Sequence, residues 1–399
     1  MYRFIIKPIL FALNIEQAHH LVIILMRVVG LIPGARWLLE QCSTVRHPSL
    51  EREVFGVHFR NPIGLAAGFD HNADAVRELG ALGFGFIEVG IITPKPQDGN
   101  PRPRLFRLTN DEAIVNRLGF ANKGLKRALN NLRRPHGDVI VGCNIGKNIS
   151  TSAEDASKDY LKVFRNVYQY VDYVSVNLCC DNACTETISH RTDFIMRVLE
   201  PLFDFRRGQN QYRPIMLKIS PDLTNEEVDK IIDIMLSTPL DGIVATTGSY
   251  RRDGLNTSDE TLDKIGAGRL SGKPLTHRSI EIVRHIHQRT GGTYPIIGVG
   301  GMMTVDDVRE MLKAGADLVQ LYSGLVYRGP HFVKEVCEGL IADAEREAIK
   351  RAAEEKEELI RKATAEAARE ATALDLAHEI EAKEAEVAIK TQQKKPARK

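Results

Sequence analysis

Eight short apolar runs, each closing on glycine, asparagine, serine or threonine and each followed by a helical pattern, constrain this chain more than any other feature. They read PIGLAAG (62–68), FGFIEVGII (84–92), DVIVGCNIG (138–146), YVSVNL (173–178), PIMLKIS (214–220), GIVATTG (242–248), PIIGVGG (295–301) and LVQLYSGL (318–325). Strands that are apolar at nearly every position are buried on both faces, as in a parallel sheet covered by helices. Eight such units predict an α/β fold closed into a (β/α)8 TIM barrel. The connections carry helix signals of their own. Thr224 followed by Glu227 forms a capping-box pattern, and TVDDVREMLKAGA runs into Gly315.

The two ends of the chain do not share this pattern. Residues 1–42 hold two apolar segments separated by the polar NIEQAHH, interrupted by Arg27 and Pro33, so neither reaches the roughly 20 apolar residues of a bilayer span. Arg3, Lys7, Arg27 and Arg36 among Phe, Leu, Ile and Trp37 suit a pair of short amphipathic helices lying in a membrane surface. A helical cap packed on the rest of the protein reads equally well. Residues 43–340 carry the barrel. Residues 341–399 are dominated by Ala, Glu, Lys, Arg, Ile and Leu, which predicts a long charged helix ending in the basic QQKKPARK.

Composition narrows the partners. With 54 basic and 52 acidic side chains the formal charge is only +2, so no global basic field points to nucleic acid, and none is expected as a partner. Six cysteines in 399 residues are no disulfide scaffold. Three of them crowd into VNLCCDNACTE, residues 176–186, but without zinc-ribbon spacing or a nearby ligand pair, and no metal is expected. Cys179 reads as a small thiol filling a strand end, while Cys180 and Cys184 stay open on spacing alone.

In a barrel of this kind, the functional site lies where the strands end at their carboxyl side. Those ends supply Asn144, Asn177, Thr246 and Thr247, with Lys218 inside MLKIS, GVGG at 298–301, and Tyr322, Ser323 and Gly324 after the eighth run. Glycine-rich turns after the seventh and eighth strands are a usual place for phosphate to meet backbone N–H groups. Lys218 has two readings: a charge beside an electron-accepting ring, or half of a structural ion pair.

The motifs NPIGLAAGFD, GFGFIEVG, TPKPQDGNPRPRLFRL, IVNRLGF, NIGKN, LKISPDL, LSGKPL, IIGVGG and VQLYSG occur in this order between about residues 45 and 335. Together they resemble the membrane-associated, quinone-linked class of dihydroorotate dehydrogenase, an FMN enzyme of pyrimidine biosynthesis. The resemblance implies oxidation of (S)-dihydroorotate to orotate, electrons leaving to a membrane quinone between the N-terminal helices, and a peripheral location on the cytoplasmic face of the inner membrane. It implies FMN contacts at Ala67, Gly68, Asn144, Asn177, Lys218, Thr246, Gly272, Gly301, Tyr322 and Ser323. Substrate contacts fall on His71, Asn116, Asn177, Asn182 and Thr247, and the quinone entrance on His19 and Arg107.

Cys180 falls where the family carries its catalytic serine. The soluble class of the family uses a cysteine as base, and a thiol's reference pKa of about 8.5 lies far nearer neutrality than a hydroxyl's. Other departures cluster on the substrate side: His71 for a lysine, Ile91 for a serine or threonine, Thr247 and Gly248 for an Asn-Thr pair, and Asp181 for a proline. Two alternatives therefore stand beside the working dehydrogenase. One is a divergent or inactive flavin-binding homologue with a different substrate; the other is a membrane-bound scaffold using its C-terminal helix.

Overall fold

The structure, a computed structural model, describes residues 2–178 and 188–392. All eight apolar runs form strands: Ile63–Leu65, Phe86–Ile92, Ile140–Ile145, Tyr173–Asn177, Ile215–Ile219, Gly242–Ala245, Ile296–Val299 and Leu318–Leu321. Each pairs in parallel with its neighbour in sequence, and the eighth closes on the first, Val319 opposite Ile63 and Leu321 opposite Leu65. The result is the closed (β/α)8 barrel that the pattern predicts.

Alternation along each strand sorts side chains between two environments. Ile87, Val89, Val174, Val176, Ile215 and Leu217 join the main core under the surrounding helices, while Phe86, Tyr173, Met216, Val244, Ile297 and Leu318 form a separate interior cluster. The hairpin Arg52–Val54 and Val57–Phe59 closes the amino-terminal end of the barrel, where Phe59 packs edge-on against Phe86 at 5.3 Å. Two residues further along, the inward row turns polar: Glu88 follows Phe86, Ser175 and Asn177 follow Tyr173, Lys218 follows Met216, and Gln320 follows Leu318. An apolar plug at one end and a polar floor at the other therefore follow from the strand sequences.

The long connection after the second strand and the segment after the sixth meet in an antiparallel three-stranded sheet, Leu105–Leu108, Ala113–Asn116 and Arg269–Gly272. It places Asn116 opposite Arg269. The connecting helices keep their caps. Thr224 and Glu227 make the capping box expected of them, and Thr304 with Asp307 makes a second.

Among the described residues three α-helices precede the barrel: α1 (Lys7–Ala12), α2 (Ile15–Leu31) and α3 (Ala35–Ser43). The polar NIEQAHH, which separates the two apolar segments in the sequence, caps and opens α2. Asn14 accepts the Glu16 N–H, and the polar residues of the first turns face the barrel. Glu16 pairs with Arg104 at 2.6 Å and Arg102 at 3.0 Å, His19 donates to the Phe69 carbonyl at 2.7 Å, and Ala18 is buried. Tertiary partners thus make these polar groups the inner face of the helix. Further along α2, Val22, Ile23 and Met26 pack on the core while Leu25, Val28 and Leu31 stay exposed. Among the described residues no single helix is long and apolar enough to cross a membrane; α2 and α3 meet at 113°.

The Arg104 guanidinium holds the Glu16 carboxyl below the usual carboxylate range. A depressed folded-state pKa contributes stability that is complete above the unfolded value, about 4.3, and is lost as the pH falls through the folded value. Docking of α2 should be constant from neutrality to about pH 5 and weaken in stronger acid. Arg104→Ala removes charge-assisted hydrogen bonds worth about 1.5–3 kcal/mol. Limited proteolysis within residues 1–45 should accelerate in this variant at pH 7; unchanged cleavage would sink the assignment.

The last helix spans His331–Gln392. Residues Met1–Ile341, with α1 to α3, form one compact unit, and Ala342–Lys399 a second. Phe332, Val333, Val336 and Cys337 are buried in the first unit. Beyond about residue 345 the described side chains are exposed and joined by i,i+4 pairs such as Glu347 with Arg351 and Glu358 with Lys362, each worth only a few tenths of a kcal/mol.

Candidate active site

The polar floor of the barrel is organised by one carboxylate. Glu88 is completely buried, and its Oε1 accepts from Asn144 Nδ2 at 2.7 Å and lies 3.4 Å from Lys218 Nζ. Its Oε2 accepts from Gln320 Nε2 at 2.6 Å and Tyr173 OH at 3.0 Å. Of the two readings of Lys218, the ion pair is therefore present, and it lies within the site. Neighbouring strands bring the asparagines alongside: Asn177 is the ladder partner of Lys218, and Asn144 that of Ser175. Burial and the Glu88 charge push the Tyr173 phenol well above its usual range, which keeps it a donor. Glu88, Tyr173 and Gln320 were not singled out from sequence. The available signal was a carboxylate inside FIEVGII and an amide inside LVQLY, since polar groups in fully buried strands need partners.

Above this floor the glycine turns crowd backbone against backbone. Gly301 has φ 76°, and a methyl group there would lie 2.5 Å from the Thr276 nitrogen; Gly272 has φ 110°, and a methyl would lie 2.4 Å from the Glu112 carbonyl. Thr246 is buried, with its hydroxyl 2.9 Å from Ser279 Oγ and donating to the Val299 carbonyl. Ser323 bonds Ser271 at 3.3 Å. Tyr322 donates to the Gly68 carbonyl at 3.2 Å, with its phenol raised to about 12 by burial, and Ala67 is half-buried beside Gly68. Among the described residues, Asn144 Oδ1 and Gln320 Oε1 are buried with no partner. Unpaired acceptors above a charged floor, next to glycines that admit no side chain, fit a planar ring with N–H donors on its edge and a phosphate on its tail. The donor set suits a flavin.

Of the substrate-side residues, His71 and Asn116 line a common cavity. Asn116 ends its strand with Oδ1 bound to the Leu118 N–H at 2.7 Å. Thr247 receives a 3.5 Å contact from Arg269, which also donates to the Gly248 carbonyl at 3.2 Å. His71 is held down to about 3 by desolvation and by neighbouring His19, so it is neutral at pH 7 and its Nδ1 is buried without a partner among the described residues. Cys180 and Asn182, with Cys179, Asp181 and Cys184, lie outside the described residues.

A cavity of about 1480 Å³ runs from His71, Asn116 and Tyr322 to the space between α1 and α2. His19 and Arg107 line it, and the His19 and His71 rings meet edge to face with centroids 5.9 Å apart. Arg107 donates to the Leu10, Phe11 and Leu13 carbonyls at 3.1, 3.4 and 2.8 Å and stacks 4.6 Å from the Phe11 ring. It clamps the carbonyl end of α1 and keeps a buried Nε without a partner among the described residues.

Comparison with known proteins agrees with this geometry. Residues 49–343 match the family described as dihydroorotate dehydrogenase. The chain is 43% identical over 336 residues to a dihydroorotate dehydrogenase (quinone) of Christiangramia forsetii, covering 84% of this chain and 97% of that protein. It is 41% identical to one from Pasteurella multocida, covering 83% and 98%. The crystal structure of DHODH from Eimeria tenella in complex with ferulenol superposes with a TM-score of 0.71 at 32% identity, covering 84% of this chain and 92% of the other. With the polar barrel floor and the glycine cradle both carried within residues 49–343, the chain belongs to the dihydroorotate dehydrogenase family.

Proposed function

We propose that this protein oxidises (S)-dihydroorotate to orotate with FMN as its flavin, and delivers the electrons to a membrane quinone in pyrimidine biosynthesis. The observation that carries the reading is the shared cavity: one continuous space joins His71, Asn116 and Tyr322 to the gap between α1 and α2. A dehydrogenase discharging into a small soluble acceptor has no need of such a helical antechamber.

Asn144, Lys218, Thr246 and the turns at Gly272 and Gly301 would hold the FMN. When bound, the flavin supplies the two-electron acceptor for the hydride leaving C6 of the substrate and passes the electrons to the quinone. The chain's own residues supply positioning and proton chemistry. Asn116 and Asn177, with Asn182 by resemblance, orient the amide edges of the substrate ring, and neutral His71 offers a hydrogen bond without a charge. Cys180 takes the C5 proton as the general base, a role assigned through the family motif. Arg107 fixes α1 so that the entrance keeps its shape, and His19 fixes α2 through Phe69.

A peripheral membrane location is supported by the apolar surface of the amino-terminal helices, and the cytoplasmic face of the inner membrane is assigned by the resemblance alone. Phe4, Ile9, Leu31 and Trp37 are exposed by 80%, 60%, 81% and 62%, amid the basic side chains Arg27 and Arg36. Leu31→Asp with Trp37→Asp should abolish co-sedimentation with anionic vesicles while leaving flavin reduction by dihydroorotate intact. Retained vesicle binding would refute the membrane surface assigned here.

Gly301→Val tests the cofactor cradle. A β-branched side chain at φ 76° facing the Thr276 backbone cannot be seated without moving the turn. The variant should bind flavin at least about tenfold more weakly, a loss of about 1.4 kcal/mol or more, and purify with less of it, read from the visible-to-ultraviolet absorbance ratio. The function itself is tested by anaerobic addition of dihydroorotate. Bleaching of the flavin, followed by recovery on adding a quinone, is the expected result. A flavin that stays oxidised under dihydroorotate but bleaches with dithionite would overturn the substrate assignment.

A further inference from the structure

Glu88 does not line the cavity, yet four of its neighbours among the described residues point donors at it from four different strands. Asn144, Tyr173, Lys218 and Gln320 belong to the third, fourth, fifth and eighth strands, and all four converge on its two oxygens. A carboxylate accepts hydrogen bonds and donates none. It therefore turns the Asn144 and Gln320 amides so that their Nδ2 and Nε2 face inward, which leaves Asn144 Oδ1 and Gln320 Oε1 as the buried atoms without partners among the described residues. Its carboxylate also lies 3.4 Å from the Lys218 ammonium on this floor. Two of the residues proposed to meet the flavin, Asn144 and Lys218, thus have their orientation or charge set from beneath by the same group.

We propose that Glu88 is the positioning residue that sets the reduction potential of the bound flavin, by offsetting the Lys218 charge and fixing which end of the Asn144 amide faces the ring. This rests on the proposed function, since it presumes a flavin on the barrel floor. The direction follows from electrostatics. A reduced ring is more electron-rich than an oxidised one, so a fixed negative charge below it opposes reduction and its removal favours reduction. Tyr173 modulates the same charge: its hydroxyl donates to Oε2, and losing that bond leaves the carboxylate more negative.

The test is the midpoint potential of the flavin in the intact protein, measured by anaerobic titration against reference dyes. Glu88→Gln keeps the shape and removes the charge, and should favour reduction at least tenfold, a rise of about 30 mV for a two-electron couple. Tyr173→Phe keeps the carboxylate and should shift the potential in the opposite direction. Shifts of opposite sign are not expected if the cluster merely holds strands together. If Glu88→Gln fails to accumulate as folded protein, Tyr173→Phe decides alone: a downward shift supports the proposal and an unchanged potential overturns it. Unmoved potentials in flavin-loaded variants that still bleach with dihydroorotate overturn this inference and leave the proposed function standing. A wild-type protein that binds no flavin overturns both.

Discussion

Replacing Cys180 with alanine is expected to slow reduction of the bound flavin by dihydroorotate by about two to four orders of magnitude, the range a positioned general base contributes. The flavin should stay bound, because the groups proposed to hold it come from the barrel floor and the glycine turns. Cys180 lies three positions beyond Asn177, the buried end of the fourth strand, whose carbonyl accepts from Tyr160 at 2.7 Å. The rate in the native protein should rise with pH as the thiol ionises, around its reference value of about 8.5. Cys180→Ser should carry that limb out of the accessible range, since a hydroxyl ionises far higher. Stopped-flow absorbance across pH 6–9 separates the cases. An alanine variant that bleaches at the native rate would remove Cys180 from the mechanism, and another member of the cluster, such as Cys184, would become the candidate.

The second large effect is structural. Lys218→Met leaves the Glu88 carboxylate buried with no cation beside it, and breaking a buried pair from one side costs about 3–5 kcal/mol. Flavin occupancy should fall with it. The double variant Lys218→Met, Glu88→Gln should recover much of the lost stability, because the uncompensated charge is gone and the amide can still accept from Tyr173 and Gln320. Urea unfolding of the four proteins in the cycle measures this. A single variant as stable as the native protein, or a double variant no better than the single, would mean that the pair is not energetically coupled.

The eight strands were legible because a strand buried on both faces must be apolar nearly throughout, and that pattern is local. The capping box at Thr224 was legible for the same reason: donor and acceptor are three residues apart. The resemblance carried the site residues, and the structure gathers those it describes at the carboxyl ends of the strands and along one cavity. The polar NIEQAHH separates two apolar segments in the sequence, whereas in the fold it caps and opens α2. Glu16 and His19 owe their burial to Arg104 and Phe69, residues far along the chain, and no local pattern reveals such partners.

Glu88 shows where local reading stops. Its position inside an apolar strand was visible, but its role depends on Asn144, Tyr173, Lys218 and Gln320, which meet only when the barrel closes. By itself the sequence determined the eight strand-helix units, the charged tail and the membership that its motifs imply, all properties of periodicity or of residues a few positions apart. Only the tertiary structure decided that Lys218 is paired with Glu88, that His71 is uncharged, that Arg107 holds α1 by its carbonyls and that one cavity joins His71, Asn116 and Tyr322 to the helices. Those depend on desolvation and on contacts between residues tens to hundreds of positions apart, and both arise only when the chain is packed.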